Sequence, residues 1–140
     1  CSKKLNKTLD YVCCIYPTAA YIDPKDIVKG FNKIKKNKLN YVFSAGKYQS
    51  SIFRSFKKKK NKGLEMNFPK YYNKRTQDIF ETFYDAGQFY WGKPDAWLKA
   101  KPIFSKKSGI IEISKLKIHD IDTLQDWKIA EKMWKFKNLK

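Results

Sequence analysis

Acidic residues are scarce in this chain: 13 Asp and Glu stand against 31 Lys and Arg in 140 residues, a formal charge of +18. That balance favours anionic partners, which include nucleic acid, a membrane surface and phosphorylated small molecules. The basic residues are spread along the chain, with one concentration at "KKKKNK" (57–62), which reads as a solvated turn between strands. Cysteine is scarce too. Cys1, Cys13 and Cys14 are odd in number and two are adjacent, which excludes a disulfide framework and a metal-ligand spacing. They read as reduced, buried thiols of a cytoplasmic protein. No apolar run approaches the roughly 20 residues of a membrane span. There is no signal-peptide pattern and no initiator Met, so a piece of something longer is expected.

What is present is a core. Hydrophobic residues make up 42% and aromatics 16%, too apolar for a disordered polymer, and the length suits one domain. "DYVCCIY" (10–16) is a short β-rich run, consistent with a strand covered on both faces. "DPKDIVKGFNKIKKNK" opens with Asp23 as N-cap and Pro24 at the first helical position, and Ile27, Phe31 and Ile34 keep helical spacing. "NYVFSAG" (40–46) is a second strand, so the three form a βαβ unit, which implies a parallel sheet. The middle reads as two strands joined by the basic turn, then a weakly periodic aromatic stretch. Further on come a strand at "QFYWG" (88–92), a short helix at "KPDAWLKA", a strand at "SGIIEISKLK" and a final amphipathic helix. Leu124, Trp127, Ile129, Ala130, Met133 and Trp134 supply the apolar face of that helix.

Three of the 13 acids fall within "IHDIDTLQDW" (118–127). Thr123 and Asp126 make a T-x-x-D variant of the capping box, which accounts for one of them. If the chain through Asp120 and Asp122 is extended, their side chains point the same way. Two carboxylates that close repel unless a cation lies between them, and Lys or Mg²⁺ would serve. The alternative is that one Asp caps the loop and the other pairs with a Lys. His119, the sole histidine, reads as a packed or loop residue rather than a base.

"DYVCCIYPTAAYI", "YVFSAGKYQSSIFRSF", "NKRTQDIFETFYDAGQFYWGKPDAWL" and "HDIDTLQDW" together resemble the C-terminal part of the pseudaminic acid cytidylyltransferases, within the wider acylneuraminate (CMP-sialic acid synthetase-like) group. The resemblance implies an α/β fold: the C-terminal portion of a doubly wound, nucleotide-diphospho-sugar transferase-like sheet. It also implies a small antiparallel extension, about 48–84, that makes a homodimer. It implies transfer of CMP from CTP to a nonulosonic acid with release of pyrophosphate and dependence on Mg²⁺. Asp120 and Asp122 match the family's metal-binding acids. Tyr16, Thr18, Arg75, Gln77, Asp85 and Gln88 match positions on the nucleotide and sugar side. Arg75 is equally read as a surface or interface residue. Tyr16 and Ile22 stand where sialic acid enzymes have Gln and Arg, which favours the pseudaminic branch over CMP-sialic or CMP-legionaminic acid synthesis.

The family's glycine- and lysine-rich phosphate loop has no counterpart among six scattered glycines. A truncated chain is therefore expected, inactive alone, with exposed apolar edges and poor solubility. A basic nucleic-acid-binding module is the reading from another class. It requires one clustered basic face, whereas the Lys residues fall on many elements. Neither a nucleic acid nor a membrane is the expected partner.

Overall fold

The computed structural model describes residues 8–60 and 63–137. Cys1 and the last two residues of the "KKKKNK" run lie outside them. The chain divides into two units, Lys47–Tyr84 and the remainder.

The larger unit holds a four-stranded mixed sheet in the order β1-β5-β2-β6. These strands are β1 (Val12–Ile15), β2 (Tyr41–Lys47), β5 (Phe83–Gly92) and β6 (Ser108–Glu112). β1 pairs antiparallel with β5, and β2 pairs parallel with β6. The N–H of Lys93 donates to the carbonyl of Asn40 at 3.0 Å, while Gln88 and Phe89 lie beside Ser44. β5 therefore runs against β2 as well. The sequence predicts a βαβ unit. Its crossover exists, but it skips one position, and β5 fills the gap in the opposite direction. Local pattern in 10–46 carries no record of a strand inserted from 83–92.

The crossover helix α1 (Pro24–Asn37) starts as expected. Asp23 is the N-cap, its carboxylate accepts the N–H of Lys25, and Pro24 follows. The helix ends at Lys38 in the left-handed region. Gly30 faces the sheet, where a Cβ would lie 2.9 Å from the Phe89 ring and 2.8 Å from Trp91. Only a residue without that atom lets the helix seat so closely. The indole N–H of Trp91 fastens the contact by donating to the carbonyl of Ile27.

The opposite face carries Phe43, Ala45 and Tyr90, with Trp97, Ile103 and Ile110 packed on them. Trp97 comes from the short helix α2 (Pro94–Leu98). With both faces covered, Tyr41 through Gly46 of β2 are buried without a break, as a central strand should be. The edge strand differs from expectation. β1 is only partly covered: the consecutive residues Cys14 and Ile15, which point to opposite faces, are both exposed, so Cys14 is not a buried thiol. Both Cys13 and Cys14 are free thiols.

After β6 the chain leaves the sheet in a 3₁₀ turn at Lys115–Lys117 instead of continuing as the predicted strand. The last helix, α3 (Leu124–Lys137), follows. Its predicted apolar face is mostly unburied: Ala130 is buried, whereas Leu124, Trp127, Ile129 and Trp134 are exposed. Among the described residues no helix is long and apolar enough to cross a membrane.

The Lys47–Tyr84 unit contains one antiparallel hairpin, β3 (Phe56–Lys58) with β4 (Leu64–Met66). Lys57 and Lys59 both pair with Glu65 across it. Phe53 packs on Phe68 and Tyr71 beside the hairpin.

Candidate functional site

Gln88 of β5 bonds to three other segments of the larger unit: the residue just past β1, Ser44 within β2, and Lys117 in the turn beyond β6. The N–H of Tyr16, just past β1, donates to the Gln88 carbonyl at 3.0 Å. The Gln88 N–H donates to the hydroxyl of Ser44 at 3.0 Å. The N–H of Ile113, just past β6, donates to Ala45 of β2. The Gln88 side chain then reaches the exit of β6, where its Nε2 donates to the carbonyl of Lys117 at 2.5 Å. Carboxyl ends of strands in an open α/β sheet are where ligands bind.

Gln88 is 4% exposed, and its packing depends on local backbone geometry. Gly87 has φ +60, a left-handed conformation, and its N–H donates to the Asp85 carboxylate at 3.0 Å. The other carboxylate oxygen of Asp85 accepts the hydroxyl of Tyr90. Burial, then the neighbouring Asp85 carboxylate, raises the Tyr90 phenol well above its ordinary value, so it is a donor throughout the working pH range. The Tyr90 ring lies 5.3 Å from that of Tyr16. Asp85 thus has two partners that shape β5 before any ligand arrives.

The segment that carries Asp120 and Asp122 begins three residues beyond Lys117. The ammonium of Lys117 bonds to Asp23 at 2.7 Å and Asp26 at 3.3 Å, both at the start of α1. Hydrogen bonds from Lys117, then from the N–H of Lys25, hold the Asp23 carboxyl below the usual carboxylate range. At the far end the Thr123 hydroxyl and N–H both donate to the Asp126 carboxylate, and the Asp126 N–H donates to the Thr123 hydroxyl oxygen. The predicted capping box is therefore formed. His119 Nε2 lies 2.9 Å from the carbonyl oxygen of Asp126. A carbonyl only accepts, so that nitrogen carries the proton and is not a free base. Between the two anchors, Ile121 lines an apolar groove with Ala20, Tyr21, Trp127, Ala130 and Trp134. Asp120 and Asp122 on either side of it are exposed, as alternation along an extended segment would give.

Tyr16, Asp85 and Gln88 are thus brought together, and Lys117 ties the Asp120–Asp122 segment to them. Thr18 sits two residues past Tyr16 and is exposed, in a turn whose Ala20 N–H donates to the Thr18 carbonyl. Arg75 and Gln77 belong to the Lys47–Tyr84 unit, at a 3₁₀ turn where both are exposed and Arg75 Nε pairs with Asp78 at 3.0 Å. Sequence reasoning missed Ser44, Lys117 and the second use of Asp23. Asp23 was legible only as a cap, and Lys117 is one among many lysines.

Oxygen donors of the Asp120–Asp122 type suit Mg²⁺, which needs only one or two carboxylates when substrate phosphates and water complete its shell. No group of three or more His, Cys, Asp or Glu able to hold an ion occurs among the described residues.

No family model matches the chain. Curated relatives do. A pseudaminic acid cytidylyltransferase of Campylobacter jejuni serotype O:2 is 35% identical over 131 residues, 93% of this chain and 56% of that protein. Its counterpart in serotype O:23/36 is 32% identical over 130 residues, with the same coverage. In Helicobacter pylori a protein named pseudaminic acid cytidylyltransferase and UDP-2,4-diacetamido-2,4,6-trideoxy-beta-L-altropyranose hydrolase is 34% identical over 126 residues, 89% of this chain and 24% of that protein. This chain spans little more than half the length of the two Campylobacter proteins. Across nearly all of its own length, the chain is a relative of the pseudaminic acid cytidylyltransferases and corresponds to a part of them.

Proposed function

We propose that this chain is part of an enzyme that transfers CMP from CTP to pseudaminic acid and releases pyrophosphate. The observation that carries the proposal is the convergence at Gln88, where Tyr16 just past β1, Ser44 of β2 and Lys117 on the approach to Asp120 and Asp122 all bond. The names of the relatives supply the substrate class.

In this reaction the anomeric hydroxyl of the sugar attacks the α-phosphorus of CTP. The bond from that phosphorus to the β-phosphate bridging oxygen breaks, pyrophosphate leaves and the hydroxyl proton passes to solvent. Asp120 and Asp122 would hold Mg²⁺ together with the phosphates. Bound there, the ion would neutralise charge on the triphosphate and its leaving group. The protein's own residues do the rest. Tyr16 and Thr18, on the loop after β1, and Gln88 line the nucleotide and sugar side, with Asp85 shaping the strand behind them. Arg75 and Gln77 are proposed as sugar-binding residues, since a guanidinium suits a sugar carboxylate. We place the enzyme in the cytoplasm, as a homodimer. We propose further that the 140 residues alone do not turn over CTP, since they span only part of their relatives.

The test is product analysis with the chain joined to the portion of the Campylobacter protein that it does not match. Supplied with CTP, Mg²⁺ and pseudaminic, sialic or legionaminic acid in turn, it should form a CMP conjugate of pseudaminic acid. A conjugate formed from sialic or legionaminic acid in its place would overturn the substrate assignment. No conjugate from any of them would overturn the reaction.

A further inference from the structure

Lys117 is held at three points. Its ammonium bonds to Asp23 and Asp26, its carbonyl accepts from Gln88, and its N–H donates to the Ser114 carbonyl at 2.8 Å. A lysine that served only to cover surface would leave its carbonyl and its charge to water. Asp26 is 5% exposed and also bonds Lys29 at 2.8 Å. A buried carboxylate needs such partners, so the position of Lys117 is constrained by α1 and not by solvent. Three residues later the chain presents Asp120, and two residues after that Asp122.

We propose that Lys117 is the positioning residue of the Asp120–Asp122 segment, clamping the exit of β6 to the start of α1 and to Gln88 so that the two carboxylates leave from a fixed point. The metal consequence of this rests on the function proposed above; the positioning itself does not. Groups hydrogen-bonded directly to a metal ligand change metal affinity about 10- to 100-fold when removed, and Lys117, which acts through the backbone, should fall at the lower end. Lys117→Met keeps the apolar stem and removes the charge. Lys117→Arg restores a donor able to span both acids.

The experiment uses the 140-residue chain and two readouts. The first is ¹⁵N relaxation, which reads backbone order residue by residue. Lys117→Met should lower order at 118–122 while β2 and β5 keep theirs, and Lys117→Arg should restore it. Unchanged order at 118–122, or loss spread equally over the sheet, would overturn the positioning role. The second is Mn²⁺ as a paramagnetic probe for the Mg²⁺ site. Broadening should centre on Asp120 and Asp122, weaken about tenfold in Lys117→Met and recover in Lys117→Arg. Equal Mn²⁺ affinity in the wild type and Lys117→Met would overturn the proposed effect on the metal. Absence of broadening in the wild type would remove the metal role of the acids, and with it that consequence, while the relaxation result still decides positioning.

Discussion

Gln88 and Lys117 are 29 residues apart and joined by one hydrogen bond, from the buried side-chain amide to the backbone carbonyl. Substituting Gln88 with Leu keeps the bulk and leaves that carbonyl without its donor. Loss of such a part-buried hydrogen bond costs about 0.5–1.5 kcal/mol. The midpoint of urea unfolding should fall by a corresponding amount, with the slope unchanged. An unchanged midpoint would mean that water serves the carbonyl equally well.

Gly30 is a second point of close contact. Alanine is the better helix former by about 1 kcal/mol, so at an exposed site Gly30→Ala would stabilise. Here its Cβ would meet the rings of Phe89 and Trp91, and Phe89 is 0% exposed with nowhere to move. Overpacking of this kind costs about 1–3 kcal/mol and should win. A lowered melting temperature is the expected result; a raised one would show that α1 is free to shift outward.

Much of this frame was readable in the residues. Asp23 and Pro24 gave the start of α1 because a cap is a local device, and Thr123 with Asp126 gave the start of α3 for the same reason. The apolar face of α3 was legible but its exposure was not: Leu124 and Trp127 have helical spacing, and spacing reveals a face and not what covers it. The insertion of β5 between β1 and β2 was also hidden, since strand order depends on pairings distant in sequence. At the site, Asp120 and Asp122 stood out as acids in a basic chain. Lys117 and Ser44 did not, because their roles consist of bonds to Asp23, Asp26, Gln88 and Phe89 that no spacing encodes.

The cap of α3 makes a prediction about pH. The Thr123 hydroxyl, then its N–H, lowers the Asp126 pKa in the folded chain. A depressed carboxylate stabilises the fold above its unfolded value of about 3.9, and that contribution is lost as pH falls through the lower folded value. An NMR titration should therefore find the Asp126 carboxyl midpoint below that of an unstructured peptide. Thr123→Ala should move it upward, and α3 should lose helicity only below about pH 4. A midpoint unmoved by Thr123→Ala would contradict the capping account.

The measurement that bears most directly on function is pyrophosphate release from CTP with pseudaminic acid and Mg²⁺. It compares the chain, joined to the unmatched portion of its Campylobacter relative, with the same protein carrying Asp122→Ala. The account predicts release by the first and a fall of about a hundredfold or more in the second, the scale of losing a group that stabilises developing charge. Release that survives Asp122→Ala within about twofold would contradict it and return Asp120 and Asp122 to the role of exposed loop acids.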